Sequence, residues 1–214
     1  MAQVVAITDA VKTLAEVEQR FSLTQRNEPD FFLEWQQDLP TLTPVQQAGL
    51  DVMHRRLRYH RAVGDLLEGA VTLLVASPLL DIAGFYDPPF RLKAEAAVEI
   101  AVDDGEEILR GRIDILILQQ QLWVLVLEAK KTTISLRSAL PQAIAYMMAN
   151  ITPERPLFGM LTNGDELVFI KLIAEPKAEY SLSRAFSLYT LPSELTVAMQ
   201  VLTHMGQQMI STGS

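Results

Sequence analysis

The chain has 214 residues, 49% apolar and 21% charged, which is one globular domain's worth of sequence with enough length to bury its own core. It has no cysteine, which excludes a disulfide framework, a thiolate zinc site and a catalytic thiol. With 18 basic and 26 acidic side chains the net charge is −8, the opposite of the balance that phosphate binders usually carry.

That charge is unevenly spread. Residues 1–53 hold 3 basic and 8 acidic side chains, and residues 54–61 hold four arginines and no acid. Residues 62–89 hold four acids and no base, residues 90–150 hold 7 against 8, and residues 151–214 hold 4 against 6. The stretch Met1 to Ile7 has no basic residue and too short an apolar part for a signal peptide. The most apolar run, Gly69 to Leu80, is interrupted by Pro78 and is shorter than the ~20 residues of a membrane span. A soluble cytoplasmic protein with no membrane partner is expected.

The first third reads as helical. Thr43-Pro44-Val45-Gln46 is a helix start, with a capping threonine, proline at the first helical position and glutamine three residues after the cap. Leu50, Met53, Leu57, Val63, Leu67, Ala70 and Leu74 continue at helical spacing, with a bend expected near Gly64 and Gly69. On that helix Arg58, Arg61, Asp65 and Glu68 would form one polar stripe.

The period then changes. Ala96 to Val102 reads as a strand, Asp103-Asp104-Gly105 as a turn, and the chain resumes at Ile108. Ile113 to Leu118 and Leu122 to Leu127, separated by three glutamines, complete a three-strand meander. Both runs are nearly all apolar, as in central strands covered on both faces. A helix from about Ser135 to Asn150 follows, in which Pro141 fits only within the first turn. Leu157 to Leu161 and Leu167 to Ile173 are strands joined by a tight turn at Asn163-Gly164. A last amphipathic helix begins near Pro192, with Leu195, Ala198, Leu202, Met205 and Met209 on one face; with Met199, they form either core or a dimer face.

No G-x-S-x-G, G-x-x-x-x-G-K or G-x-G-x-x-G is present, and His54, His60 and His204 have no metal-ligand spacing, so neither a triad hydrolase nor a nucleotide-driven motor is expected. What stands out is acid inside apolar strands. Asp114 lies within Ile113 to Leu118, and Glu128-Ala129-Lys130 closes the next strand. Carboxylates are costly to bury unless paired or metal-bound. Glu128 and Lys130, two apart, share a strand face. Fourteen residues after Asp114, Glu128 returns beside it at one end of a hairpin. Two adjacent carboxylates suit a hard divalent cation, with the Ala129 carbonyl as a further ligand and Lys130 orienting or deprotonating water or neutralising negative charge. The plain alternative is a structural ion pair with one extra acid, because Glu-x-Lys by itself is common.

Asp114, then Glu128-x-Lys130 across two strands, resembles the PD-(D/E)xK nucleases. Gln142-Ala143-Ile144-Ala145-Tyr146 resembles the Q-x-x-x-Y helix motif of their RecB-like branch and of the N-terminal nuclease region of type I restriction R subunits. Leu161-Thr162-Asn163-Gly164 is similar to the T-N-G segment that follows the motif there. The resemblance covers roughly Glu95 to Ile173. It departs from the pattern in having Arg112 and Ile113, not proline, before the first acid, and in ending at Ser214 where an R subunit continues into a helicase motor, so a free-standing domain is expected.

The resemblance implies a restriction-endonuclease-like three-layer αβα sandwich with a central mixed sheet of about five strands. Residues 1–90 would form a helical N-terminal part, residues 91–175 the nuclease core and residues 176–214 a C-terminal helical segment. It implies that Asp114 and Glu128 bind Mg²⁺ (with Mn²⁺ substituting), that Lys130 is the catalytic lysine, and that Gln142 and Tyr146 position substrate or support the site. Many members place another acid on the first helix; Glu68 is the candidate, with Asp65 and Glu95 as rivals. The expected partner is DNA, with a homodimer or a restriction or helicase subunit as a further one. Arg110, Arg112, Lys131 and Arg137 are candidate phosphate contacts, whereas the basic run at 54–61 is first of all a solvated helix face paired to Asp65 and Glu68. A metal-dependent DNA endonuclease is the leading reading; a non-cleaving DNA-binding or assembly subunit that keeps the fold is the alternative.

Overall fold

The computed structural model describes residues 3–102, 106–119, 122–153 and 155–212. The turns expected at 103–105 and 120–121 lie outside the described residues.

The meander is present, and it is longer than its apolar runs. β3 (Phe90–Val102) and β4 (Glu107–Gln119) pair antiparallel along their whole length, and β5 (Leu122–Ala129) returns antiparallel to β4 over Ile115 to Gln119. β3 occupies one edge of β4 throughout, so the other edge is shared. β1 (Gln3–Ala6) runs parallel to β4 at Glu107 to Arg110, and β5 covers its far half. Between these partners, Gly111 to Asp114 have no strand on that edge among the described residues. This gap in the ladder is where the candidate site is built.

α6 (Leu136–Met148) carries the chain across, so that β6 (Leu157–Thr162) lies parallel to β5, as a crossover connection requires. Pro141 is the sixth residue of α6, not in its first turn as expected. The helix begins with a tight turn, Ser138 N–H to the Ser135 carbonyl at 3.1 Å, and is continued by packing: residues Ala139 to Met147 are buried except Gln142. β7 (Glu166–Ile173) folds back on β6 through the expected turn. Gly164 takes φ +89° there, and Asn163 Oδ1 accepts from the N–H groups of Asp165 and Glu166 at 3.1 and 2.8 Å. β8 (Glu179–Leu182) extends the sheet beyond β7, β2 (Thr24–Gln25) lies parallel to β8, and β9 (Phe186–Ser187) pairs with the start of β7.

Among the described residues the sheet therefore has nine strands rather than about five. The additional ones are short, and all but β8, which lies between β7 and β2, sit at the margins of the sheet. Two of them lie in the part of the chain expected to be helical (1–90), and two in the C-terminal segment (176–214). Their two to four residues carry too little periodicity to signal themselves.

Helices cover both faces, which makes the three layers. On one face pack α3 (Pro44–Arg61), the run α4 (Glu68–Val71) to α5 (Ser77–Ile82), and α7 (Pro192–Thr212), against Ile115, Ile117, Phe158, Met160 and Phe169. On the other pack α1 (Ile7–Ala10), α2 (Leu14–Phe21) and α6, against Leu116, Leu118, Leu161, Ile170 and Leu172. Coverage of both faces is why the central strands read as continuous apolar runs. The α7 methionines Met199, Met205 and Met209 belong to this core. Among the described residues, no helix is long and apolar enough to cross a membrane.

The expected long first helix is broken. The start at Thr43 forms as read, with Thr43 Oγ1 accepting from Gln46 N–H at 3.2 Å and Gln46 Oε1 from Thr43 N–H at 2.9 Å. α3 ends at Arg61, residues 62–67 form a loop, and α4 begins afresh at Glu68. Arg58, Arg61, Asp65 and Glu68 therefore do not form one helical stripe. α4 passes into α5 through a π-turn, Thr72–Ala76, closed by Ser77 N–H on the Thr72 carbonyl. Pro78 supplies no N–H to the preceding turn and crowds its carbonyls, which favours this widening.

Candidate active site

Asp114 sits at the gap in β4, half-buried, and turns its carboxylate toward the end of β5. Its Oδ2 accepts from the Ala129 N–H at 2.7 Å. That bond replaces the ladder bond missing at the gap, and it joins the two acidic strands at the point where the sequence placed them side by side. Glu128, the neighbour of Ala129, is 2% exposed. Its Oε1 accepts from Lys130 Nζ at 2.6 Å and from Gln142 Nε2 at 3.0 Å. Its Oε2 is buried with no hydrogen-bond partner among the described residues.

Gln142 is held in turn. Its Nε2 also donates to the Tyr146 hydroxyl at 2.8 Å, one turn along α6. The same hydroxyl accepts from the Arg112 N–H at 3.4 Å, a backbone donor left without a strand partner by the gap. Tyr146 is only 3% exposed. Its buried ring lies between α6 and β4, and its hydroxyl ties Gln142 to the Arg112 backbone. Gly111 makes room for that ring, because a Cβ there would lie 2.4 Å from Tyr146 Cε1 and 3.1 Å from Ile7 Cδ1. Gly111 was not singled out from the sequence, although a glycine inside an apolar strand is itself a signal of close approach.

The three rival acids separate. Glu68 reaches to 4.0 Å from Lys130 Nζ. Glu95 lies at the β3 position in register with Asp114, between the pairs Ala94↔Ile115 and Ala96↔Ile113, in left-handed backbone at φ +50°. It is exposed and pairs with Arg112 at 3.2 Å. Both line, with Asp114, one cleft of about 580 Å³. Asp65 points elsewhere, to Arg61 at 2.9 Å and to the Thr132 hydroxyl at 3.2 Å.

Glu68 keeps its place despite the broken helix because the loop before it is fastened. The Leu66 N–H donates to Thr132 Oγ1 at 3.1 Å, and the Thr132 N–H donates to the Leu66 carbonyl at 3.1 Å. Residue 66 is two before Glu68 and residue 132 is two after Lys130, so the clamp couples the two. Asn163 Nδ2 braces the same loop through the Ile134 carbonyl at 2.9 Å, and Arg61 pairs with Asp165 of the T-N-G turn at 3.0 Å. The T-N-G segment is thus structural support for the site. The basic run is paired in part as expected, with Arg61 on Asp65 and on Asp165 rather than on Glu68. Of the candidate phosphate contacts, Arg110 is paired with Glu99 at 2.8 Å and Arg112 with Glu95, while Lys131 and Arg137 are exposed.

Burial sets the electrostatics. It pushes the Glu128 carboxyl up to about 8, with the nearby Asp114 adding to the rise. It raises Asp114 as well, against the Ala129 N–H, which lowers it. Burial alone would lower Lys130, but the charge and hydrogen bond of Glu128 outweigh it and raise the ammonium above its ordinary value.

The carboxylates that line the cleft are those of Glu68, Glu95 and Asp114, and Glu128 Oε2 is a further oxygen, buried and without a hydrogen-bond partner among the described residues. This set fits a hard divalent cation. Among the described residues, no three His, Cys, Asp or Glu side chains converge closely enough to hold an ion by themselves. Such an ion would need further oxygens from carbonyl, water or substrate, as Mg²⁺ usually takes.

A family model described as type I restriction enzyme R protein N terminus matches residues 55–178. No curated protein matches the chain. A solved structure it is similar to is a fragment assigned as the HsdR subunit of a type I restriction enzyme from Vibrio vulnificus YJ016, with 21% identity and a TM-score of 0.41. That match covers 61% of this chain and 25% of the other, so the chain spans well under half of it.

Proposed function

Because this chain belongs to the family of type I restriction enzyme R protein N termini, we propose that it is a divalent-metal-dependent phosphodiesterase acting on DNA. The observation that carries this reading is the buried, unpartnered Oε2 of Glu128 beside Asp114, with Lys130 on the other oxygen. That second oxygen has no hydrogen-bond partner among the described residues and has lone pairs to offer a metal ion.

Asp114, Glu128 and the Ala129 carbonyl would hold the ion, Mg²⁺ or Mn²⁺, with Glu68 at its margin. When bound, it supplies Lewis acidity toward a phosphate oxygen and a more acidic water. The chain's own residues do the rest. Asp114 is fixed by the Ala129 N–H and Glu128 by Gln142, so both carboxylates are set before any ligand arrives. Tyr146 prevents Gln142 from swinging away. Lys130, with three donor protons and one carboxylate partner at 2.6 Å, directs its remaining protons toward water and toward the charge that grows on the phosphate oxygens.

The test is cleavage of single-stranded, duplex and branched DNA with Mg²⁺ or Mn²⁺. Lys130→Ala and Glu128→Ala are expected to lose at least ~100-fold in turnover with the fold retained. Should the wild-type chain cut no DNA form, or should these variants cut as well as it does, the reading fails. Metal and DNA binding without turnover would favour a non-cleaving DNA-binding or assembly subunit.

A further inference from the structure

The cleft that contains Asp114 is larger than the acidic cluster needs. Glu68, Glu95 and Asp114 line one part of it, and its other walls are Gly69, Leu73, Tyr86, Leu92, Ala94 and Ile115. Three of these apolar side chains are open to solvent: Leu73 is 74% exposed, Leu92 42% and Tyr86 39%. They are not spare core, since the core lies beneath them. Tyr86 is held in place, with its hydroxyl donating to Ser77 Oγ at 2.8 Å. Ser77 is the residue that closes the π-turn on Thr72, and both line the cleft. Gly69 leaves the wall open, with nothing within 4 Å of where a Cβ would stand.

We propose that this apolar wall is a subsite for an unpaired nucleobase, so that the chain takes DNA whose bases are out of the stack rather than intact duplex. The inference rests on the phosphodiesterase reading, because it assigns to the acidic part of the cleft the phosphate next to that base. A volume of about 580 Å³ admits a nucleotide, and a base still stacked inside a duplex offers a protein ring only its edge, not its face. The charge distribution points the same way. With a net charge of −8, and with Arg110 and Arg112 already paired to acids, backbone attraction contributes little, and affinity has to come from stacking. A fixed aromatic ring beside aliphatic side chains is what sequence-tolerant stacking requires.

The test uses the full chain with Ca²⁺ in place of Mg²⁺, and fluorescence anisotropy of a labelled single strand and of the duplex of the same sequence. The single strand is expected to bind more tightly. Tyr86→Ala should weaken single-strand binding roughly tenfold and leave duplex binding unchanged, while Tyr86→Phe, which keeps the ring, should stay close to wild type. Leu73 is exposed enough to change without unfolding the chain, and Leu73→Glu should reproduce the loss. A 2-aminopurine base in the strand should be quenched by the wild type and not by Tyr86→Ala. Equal binding of single strand by Tyr86→Ala and wild type, or tighter binding of duplex, overturns the subsite. If Mg²⁺-dependent cleavage persists in that case, the phosphodiesterase reading stands without it. If single-strand binding follows Tyr86 but no DNA is cut, the catalytic reading falls and the subsite remains.

Discussion

Glu128 shows how far one buried atom can be argued. Its folded carboxyl titrates near 8 because burial penalises the charge, while in the unfolded chain it titrates near its ordinary 4.5. The folded state therefore holds the proton more tightly. The stability this gives is fully present below the unfolded value and is lost as pH rises from about 4.5 through 8. Asp114, raised first of all by burial, acts in the same sense. With a chelator present, the protein should unfold at lower urea at pH 8.5 than at pH 5, by an amount on the order of a few kcal/mol, and Glu128→Gln should flatten most of that slope. A wild-type midpoint that does not move with pH would show that the site carries no such strain. Gly111 gives a second, independent prediction. A methyl group there meets the Tyr146 ring at 2.4 Å, so Gly111→Ala must displace a buried side chain and should cost about 1–3 kcal/mol, read by urea denaturation. Tyr146→Phe keeps the ring but leaves the Arg112 N–H and Gln142 short of an acceptor, and should cost about 1–2 kcal/mol.

Elements set the distances between these residues, and they differ in how clearly the sequence announces them. Asp114 and Glu128 could be placed side by side because a hairpin of apolar strands fixes parity, register and return. Gln142 and Tyr146 could be placed together because a helix repeats every 3.6 residues. The Asn163-Gly164 turn carries its own chemistry in the asparagine carbonyl and in the positive φ of glycine. The break after Arg61 was not legible. Val63 and Leu67 fall at helical spacing, yet they stand 87% and 74% exposed in a loop held by tertiary bonds. β1, β2, β8 and β9 were not legible either, because strands of two to four residues are defined by the partner they lie beside. Thr132 shows the consequence for the site. Its hydroxyl fastens Leu66, and so the start of α4, to the loop after Lys130. Thr132→Val keeps the shape but leaves the Leu66 N–H without its acceptor, and should cost about 1–2 kcal/mol in urea. If Glu68 serves the reaction, the same variant slows cleavage several-fold at unchanged DNA affinity; an unchanged rate would leave Glu68 outside it.

The molecule as a whole carries −8, and the fold shows where its few cations are spent. Arg61 is locked between Asp65 and Asp165, Arg110 faces Glu99, Arg112 faces Glu95, and Lys130 belongs to Glu128. Of the candidate phosphate contacts this leaves Lys131 and Arg137 exposed, while Glu68 and Glu95 present carboxylates to the cleft at 50% and 74% exposure. Counterion release scales with the number of phosphates neutralised, with a slope of about 0.7 per contact on a single strand. Two such contacts lower single-strand affinity only roughly sevenfold between 50 and 200 mM salt, whereas proteins with six to ten duplex contacts lose about a thousandfold or more. Anisotropy at fixed Ca²⁺ across that range should therefore give a shallow slope, and Lys131→Ala with Arg137→Ala should flatten it further. A steep slope would mean that a cationic surface away from the cleft, such as Arg55, Arg56 and Arg58 on α3, holds the DNA. The acidic balance would then describe the rest of the molecule and not the face that meets the substrate.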